Sequence, residues 1–457
     1  MDRHTDHHSA SPPPGCPAHQ VGMAPVPLWG PDFAADPQGF YRVLRQYGPA
    51  APVEVAPGVP ANLVTDYAAA LRVLQSPKEF GKDSRRWRDF NEGRVPMDSA
   101  AVPMMAYRPN SLFSDGAEHL RLRQAITDSL GRIDSHLLTR HVERVSTYLV
   151  GQFGDRGSAD LLNEYSKLMS LLVFNELFGC PPEIGDQLIS GMSGIFDGVD
   201  PEKSNREILE SVMALVSYKR THPGQDVTSW MMAHPAQLSD EEMMHQLVLL
   251  GGAGSEPTRN LIANGLLLIL SDERYFGGVH GAGLLVEDAL DEVMWNSPPL
   301  ANYGVHYPLH DVDLGGSHLR AGDPVVISFA AANTDPALSS ARQQVSKRAH
   351  LGWSAGPHAC PAKDPAQLIA VTAIEKLLNQ LPDVELSVAP ESLTWRPGIY
   401  HRALATLPAH FTPVVTERPF AAAQASGGAP EHSGRHAAGR RGPKGGWWSG
   451  FLNWWRE

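Results

Sequence analysis

Cysteine is nearly missing from this 457-residue chain, which holds only Cys16, Cys180 and Cys360. Three thiols over that length make no disulfide framework. No uninterrupted apolar run reaches about 18 residues, which argues against a membrane span. The opening stretch MDRHTDHHSASPPPGCPAHQ has no apolar core, so it is no secretory signal. Positive charge is short as well: 38 Lys and Arg face 50 Asp and Glu, a net charge of -12. That balance disfavours nucleic acid or an anionic membrane as the main partner of the body. These absences leave a reduced, cytoplasmic, soluble protein, and 42% hydrophobic residues are ample for a large core.

The pattern along the chain divides it into three. Residues 1–22 are rich in His, Ser and Pro and read as a disordered tail, where His4, His7 and His8 offer only adventitious metal binding. Residues 23–417 carry globular patterning. DPQGFYRVLRQYG and DYAAALRVLQSP read as short helices, and APVEVAPGVPANLVT alternates around a Pro-Gly turn as a hairpin. HLRLRQAITDSL, LLTRHVERVSTYLVGQF, SKLMSLLVFNELFG and PAQLIAVTAIEKLLNQL have helical apolar spacing. EEMMHQLVLLGGAGSEPTRNLIANGLLLIL makes a helix of about 30 residues, or about 45 Å. Gly251, Gly252, Gly254 and Pro257 interrupt its middle. A core helix avoids such residues unless its backbone must be approached closely or its ladder must open. After Pro298-Pro299, VDLGG and DPVVISFAAANTDP read as strands. Residues 418–457 form a flexible basic tail. The fold class is mainly α with small β-sheets (α+β), in a single large domain.

Cys360 sits in HLGWSAGPHACPAKDP, before an apolar helix. Backbone N–H groups at a helix start favour a thiolate. Such a thiolate serves as a nucleophile or as a metal ligand. A zinc site wants more Cys or His at ligand spacing, which are absent. An axial ligand to haem iron needs no second sulfur. Cys180, at a helix end, reads as a small buried hydrophobe.

Several motifs in order resemble those of the bacterial, soluble class of cytochrome P450. In W-S-A-G-P-H-A-C-P-A, residues Gly356, His358, Cys360 and Ala362 match the haem-binding stretch, with Trp353 and Ser354 replacing a Phe and a Gly. His119 and Arg123 in EHLRLRQ match H-x-x-x-R and share a helix face. Ala253-Gly254-Ser255-Glu256-Pro257-Thr258 matches A-G-x-[DE]-T-[ST], with Pro257 where the threonine stands and Thr258 rotated by about 100°. EDALDEVMWNSPPL has Trp295 in place of the arginine of E-x-x-R, a form shared by some actinobacterial members.

The resemblance implies haem b (protoporphyrin IX iron) between the long helix and the cysteine loop. It implies Cys360 as iron ligand and His119, Arg123, His358 and His306 at the haem propionates. His306 stands where an arginine is usual. Trp353, Gly356 and Gly254 complete the cofactor site, and Ala253, Glu256 and Thr258 the catalytic one. Pro257 leaves the Ala253 carbonyl without its helical partner, free to hold a water. Glu292 is expected to pair with Arg342 or Arg348. The activity implied is a monooxygenase acting on an apolar small molecule with dioxygen, with electrons from a ferredoxin or other donor. Trp87, Phe90, Met97, Met104, Met105 and Tyr107 of the loop Arg85 to Leu112 suit its pocket wall. The alternatives are a haem protein with weak or no oxygenase activity, serving ligand sensing or partner binding, and a peroxide-driven peroxygenase. A monomer is expected. In WWSGFLNWWRE, Trp448, Phe451, Leu452 and Trp455 fall on one helical face, which suits a membrane surface or a protein partner.

Overall fold

The computed structural model describes residues 25–197, 200–276, 285–338, 346–414 and 446–456. The N-terminal histidines, Cys16, Arg342 and the basic segment 415–445 lie outside them.

The longest helix, Asp240–Ser271, runs for 32 residues. Its start is capped twice. The Ser239 hydroxyl accepts from the Glu242 N–H at 3.2 Å, and the Glu242 carboxylate accepts from the Ser239 N–H at 2.8 Å. Asp240, Glu241 and Glu242 put negative charge on the first turn, where the helix dipole favours it. The second half is buried on all sides. Leu261, Ile262, Ala263 and Leu266 are core residues, enclosed by helices Lys167–Leu177, Val286–Asn296 and Lys363–Gln380. Gly265 permits that closeness: a Cβ there would lie 2.7 Å from Leu290 and 2.9 Å from Ile374. The expected interruption at Gly251 to Pro257 is not a break, since the helix continues through it. Pro257 removes one ladder bond without ending the helix.

The helices Pro37–Leu44, Tyr67–Gln75, Gly116–Leu130, Ser135–Phe153 and Lys167–Leu177 form where the apolar spacing predicts them. The predicted hairpin pairs Ala50–Ala56 with Val59–Val64 inside a six-stranded sheet. The second half of DPVVISFAAANTDP differs from its strand reading. After strand Val325–Ser328, the Ser328 hydroxyl accepts from the Ala331 N–H at 3.0 Å and starts helix Phe329–Asn333.

One sheet edge positions the site. Strand Asn302–Pro308 pairs with Val325–Ser328 and shifts register between Tyr303 and His306. Gly304 makes that bulge possible with φ +62°. On its other side, Phe80 pairs with Pro308 and Gly81 with Tyr307, antiparallel. Lys82 follows this strand directly, and its backbone N–H turns to the Asp115 carboxylate at 2.8 Å.

Trp448 and Phe451 of the aromatic face near the C-terminus are not free for a membrane or a partner, and the Trp455 side chain lies outside what the structure describes. Helix Trp447–Arg456 buries Trp448 and Phe451 to 1% exposure each in the main core. The Trp448 indole donates to the Cys180 carbonyl at 3.0 Å. Asp186, from helix Pro182–Asp197, accepts the Trp448 N–H at 2.7 Å and so caps this helix from another one. Phe451 meets His141 and Tyr148 edge-on, and Leu452 packs at the margin. The amphipathic pattern is therefore explained by packing within the domain. Cys180 is a buried core thiol, as expected. Among the described residues, no helix is long and apolar enough to cross a membrane.

Candidate functional site

A cavity of about 600 Å³ lies against the first half of the long helix, within the size range of small-molecule sites. Gly252, Ala253 and Gly254 line it. A Cβ added to Gly252 or Gly254 would meet nothing within 4 Å, so the small residues leave space open toward the cavity. Gly251 has the opposite role: a Cβ there would lie 2.4 Å from Met192. Trp353, His358 and Cys360 line the same cavity.

The loop wall is narrower than expected. Of the six Met and aromatic residues read as pocket wall, Met104 alone lines the cavity, with Pro103, Arg108, Asn110, Ser111 and Leu112. Trp87 and Met105 are fully buried in a separate core, where Phe90 stacks on Trp87 at 5.2 Å. Met97 is 74% exposed. Tyr107 carries the Arg85 guanidinium over its ring at 4.3 Å.

Backbone constraints shape the cysteine segment. Gly356 has φ +69°, and a Cβ there would lie 2.1 Å from the Leu74 carbonyl oxygen. No other residue fits. Ser354 sits at φ +61° and ψ -171°, a region that favours glycine. The Cys360 N–H donates to the Trp353 carbonyl at 2.9 Å. Burial pushes the Cys360 thiol up, while the Ala362 N–H and the Arg123 charge favour the thiolate. Among the described residues, no group of three or more His, Cys, Asp or Glu could hold a metal ion. Cys360 lines the cavity as a lone thiol, the arrangement that a metal bringing its own other ligands would need.

The run before the cysteine is tied by neutral groups and by the Lys347–Asp288 ion pair at 2.7 Å. The Trp295 indole donates to the Lys347 carbonyl at 2.6 Å, and the ring meets His350 edge-on. Asn333 donates to the Met294 carbonyl at 2.9 Å and accepts the Leu351 N–H at 2.7 Å. The expected pairing of Glu292 with Arg348 does not occur. Glu292 accepts from Arg274 at 2.9 Å and from the Tyr275 hydroxyl at 3.0 Å. Arg348 lies 3.8 Å from Asp291 instead.

Nitrogen-bearing side chains gather on one side of the cavity. The His119 and His358 rings lie 3.9 Å apart, and the buried His119 Nε2 has no partner. Arg123 donates to the Ala359 carbonyl, and its Nε to Thr127 at 3.3 Å. Burial holds both imidazoles below their ordinary pKa, hence neutral. His306 is 3% exposed, and its Nδ1 donates to the Gly304 carbonyl at 2.5 Å. It does not line the cavity, and the register shift of its strand lies directly before it. Lys82, which the motifs did not single out, does line the cavity. This donor-rich wall with an orphaned imidazole nitrogen fits the two carboxylates of a haem, and Cys360 fits its iron.

Next to the small-residue stretch, Glu256 is 6% exposed and lines the cavity. Its carboxylate accepts from Arg259 at 3.2 Å, from Asn260 at 3.1 Å and from Arg396. The sequence reading missed Arg396, which lies 140 positions away. Thr258, buried, and His401 line the cavity nearby. The sequence-predicted residues Ala253, Gly254, Glu256, Thr258, Arg123, Trp353, His358 and Cys360 therefore share one cavity. Gly356 supports it, and His119 meets it through His358.

No family model matches the chain. It is 30% identical over 394 residues to the cytochrome P450 monooxygenase PikC of Streptomyces venezuelae, covering 83% of this chain and 92% of that protein. It is 28% identical to 2-hydroxy-5-methyl-1-naphthoate 7-hydroxylase of Streptomyces carzinostaticus, covering 82% of this chain and 95% of that one. Among solved structures it is similar to CYP154C4 from Streptomyces sp. W2061, with a TM-score of 0.76 and 25% identity over 85% of this chain and 98% of that one.

Proposed function

The chain belongs to the cytochrome P450 family and is a haem-dependent monooxygenase; on that premise we propose that it oxidises an apolar small molecule with dioxygen, using electrons from a separate ferredoxin or other donor. Haem, when bound, supplies dioxygen activation, which a thiolate ligand promotes. Cys360 holds the iron, and Arg123, His119 and His358 face the haem carboxylates. Ala253 and Gly254 keep the space beside the long helix clear. Glu256 and Thr258 hold and move protons there, and the Ala253 carbonyl, lacking its helical partner, accepts a water. The observation that carries this reading is the shared cavity: a lone thiol and a stretch of small residues line the same space.

Relatives named as monooxygenases and hydroxylases do not favour the sensing or peroxide-driven alternatives. The test has two parts. The ferrous–CO spectrum of the purified protein must show the red-shifted band of a thiolate-ligated haem. With surrogate redox partners, NAD(P)H consumption must depend on an apolar substrate and yield an oxygenated product. Absence of that band, or of any product across a broad apolar panel, counts against the reading.

A further inference from the structure

Lys82 is 5% exposed and borders the cavity that holds Cys360, His358 and Arg123. A buried ammonium is costly without a counter-ion, and among the described residues Lys82 has no side-chain ion pair or hydrogen bond. Its closest acid, Asp115, is already occupied. That carboxylate accepts the Lys82 backbone N–H at 2.8 Å and the Asp83 N–H at 3.1 Å. Gly81 allows this approach, since a Cβ there would lie 2.6 Å from the Asp115 oxygen. Burial accordingly draws the lysine down to about 7.

The neighbours cannot do what a lysine does. His119 and His306 both feel the Lys82 charge, and burial holds each below its ordinary pKa. His306 is excluded by its tautomer as well. A carbonyl can only accept, so Nδ1 carries the proton and the neutral ring presents a lone pair at Nε2. It has no proton to offer an anion. Arg123 is partly committed to the Ala359 carbonyl and Thr127. The strand ending at Gly81 pairs with the strand that carries His306, and the Lys82 charge acts on that imidazole, so a charge missing on one strand can come from the next.

We propose that Lys82 is the cationic partner of a haem carboxylate and replaces the cation that His306 cannot supply; this rests on the haem reading above. Lys82 is a positioning residue: it would hold a carboxylate of the cofactor in the cavity that it shares with Cys360.

The test uses the holoprotein and three variants: Lys82→Met, His306→Arg, and both together. The readouts are the rate of haem transfer to excess apomyoglobin and the ferric/ferrous midpoint potential. Losing one charge-assisted hydrogen bond should speed haem loss by about tenfold in Lys82→Met and shift the potential to more negative values. The double variant should recover most of both, because an arginine at 306 restores a cation on the neighbouring strand. Wild-type haem retention and potential in Lys82→Met would overturn the proposal, as would a double variant no better than the single one. If Lys82→Met does not fold, lysine ¹⁵N NMR of the wild-type protein decides. The Lys82 ammonium must stay protonated to higher pH with haem than with haem dimethyl ester, and an equal titration overturns the proposal. Failure of the haem reading itself is distinguishable: the wild-type protein would take up no haem or lack the thiolate-type ferrous–CO band.

Discussion

On the cysteine side, the cavity is bounded by backbone geometry: Gly356 against the Leu74 carbonyl, Ser354 in a glycine-like conformation, Trp295 and Asn333 on main-chain groups. On the side of the long helix it is bounded by charge: Glu256 between Arg259 and Arg396, beside a stretch that is almost without side chains. The difference follows from what each side must do. A metal ligand has to be held at one position, which main-chain constraints achieve without titrating. A surface that moves protons has to keep polar atoms near apolar space, and buried charge survives there only when it is paired.

The largest effect expected is from Cys360→Ala, which should abolish the thiolate-type ferrous–CO band and product formation while leaving the fold intact by circular dichroism. Glu256→Gln leaves two arginines short of their carboxylate and should cost about 3–5 kcal/mol in denaturant unfolding, with product formation falling in parallel. Unchanged stability would break the contrast, because charge would then not be what holds that side together. Gly356→Ala should cost roughly 3 kcal/mol or more, since it adds a Cβ at positive φ against a main-chain oxygen. Denaturant midpoints of the holoprotein measure it.

Acid should act through the cysteine side. Burial pushes His350 down to about 4, below its ordinary value of about 6.5, so the unfolded chain takes up the proton first. Its contribution is complete above about pH 6.5 and is lost as the pH falls toward 4, by about 3 kcal/mol. His350→Gln should flatten stability against pH in that window, and an unaltered slope would assign the acid lability elsewhere. The smallest effect expected is a gain: Ser354→Gly should add about 1 kcal/mol by relieving an unfavourable backbone conformation. Thermal unfolding of the two proteins compares them.

Residues that act through local spacing were legible in the chain. His119 and Arg123 lie one helical turn apart, and Gly356, His358 and Cys360 lie within five positions. Partners brought together by the fold were not. Arg396 reaches Glu256 across 140 positions, and Lys82 comes to act on His306 because the two-residue strand before it joins the sheet edge. In the sequence, Lys82 stands in KDSRR, which no motif singled out. The loop aromatics misled for a related reason: composition marks Trp87 and Met105 as apolar but does not say which of two neighbouring cores receives them. Periodicity likewise disclosed the face of Trp448 and Phe451 and was silent on what covers it.

That last helix also orders events in time. Trp448 receives its cap from Asp186 and gives its indole proton to Cys180, partners 262 and 268 positions earlier. Contacts so distant along the chain close late, after the loop between them has been drawn in. The lobe built from Ser135–Phe153, Lys167–Leu177 and Pro182–Asp197 therefore emerges from synthesis with an open trough, and it becomes a finished core only when a segment made some 260 residues later comes back to fill it.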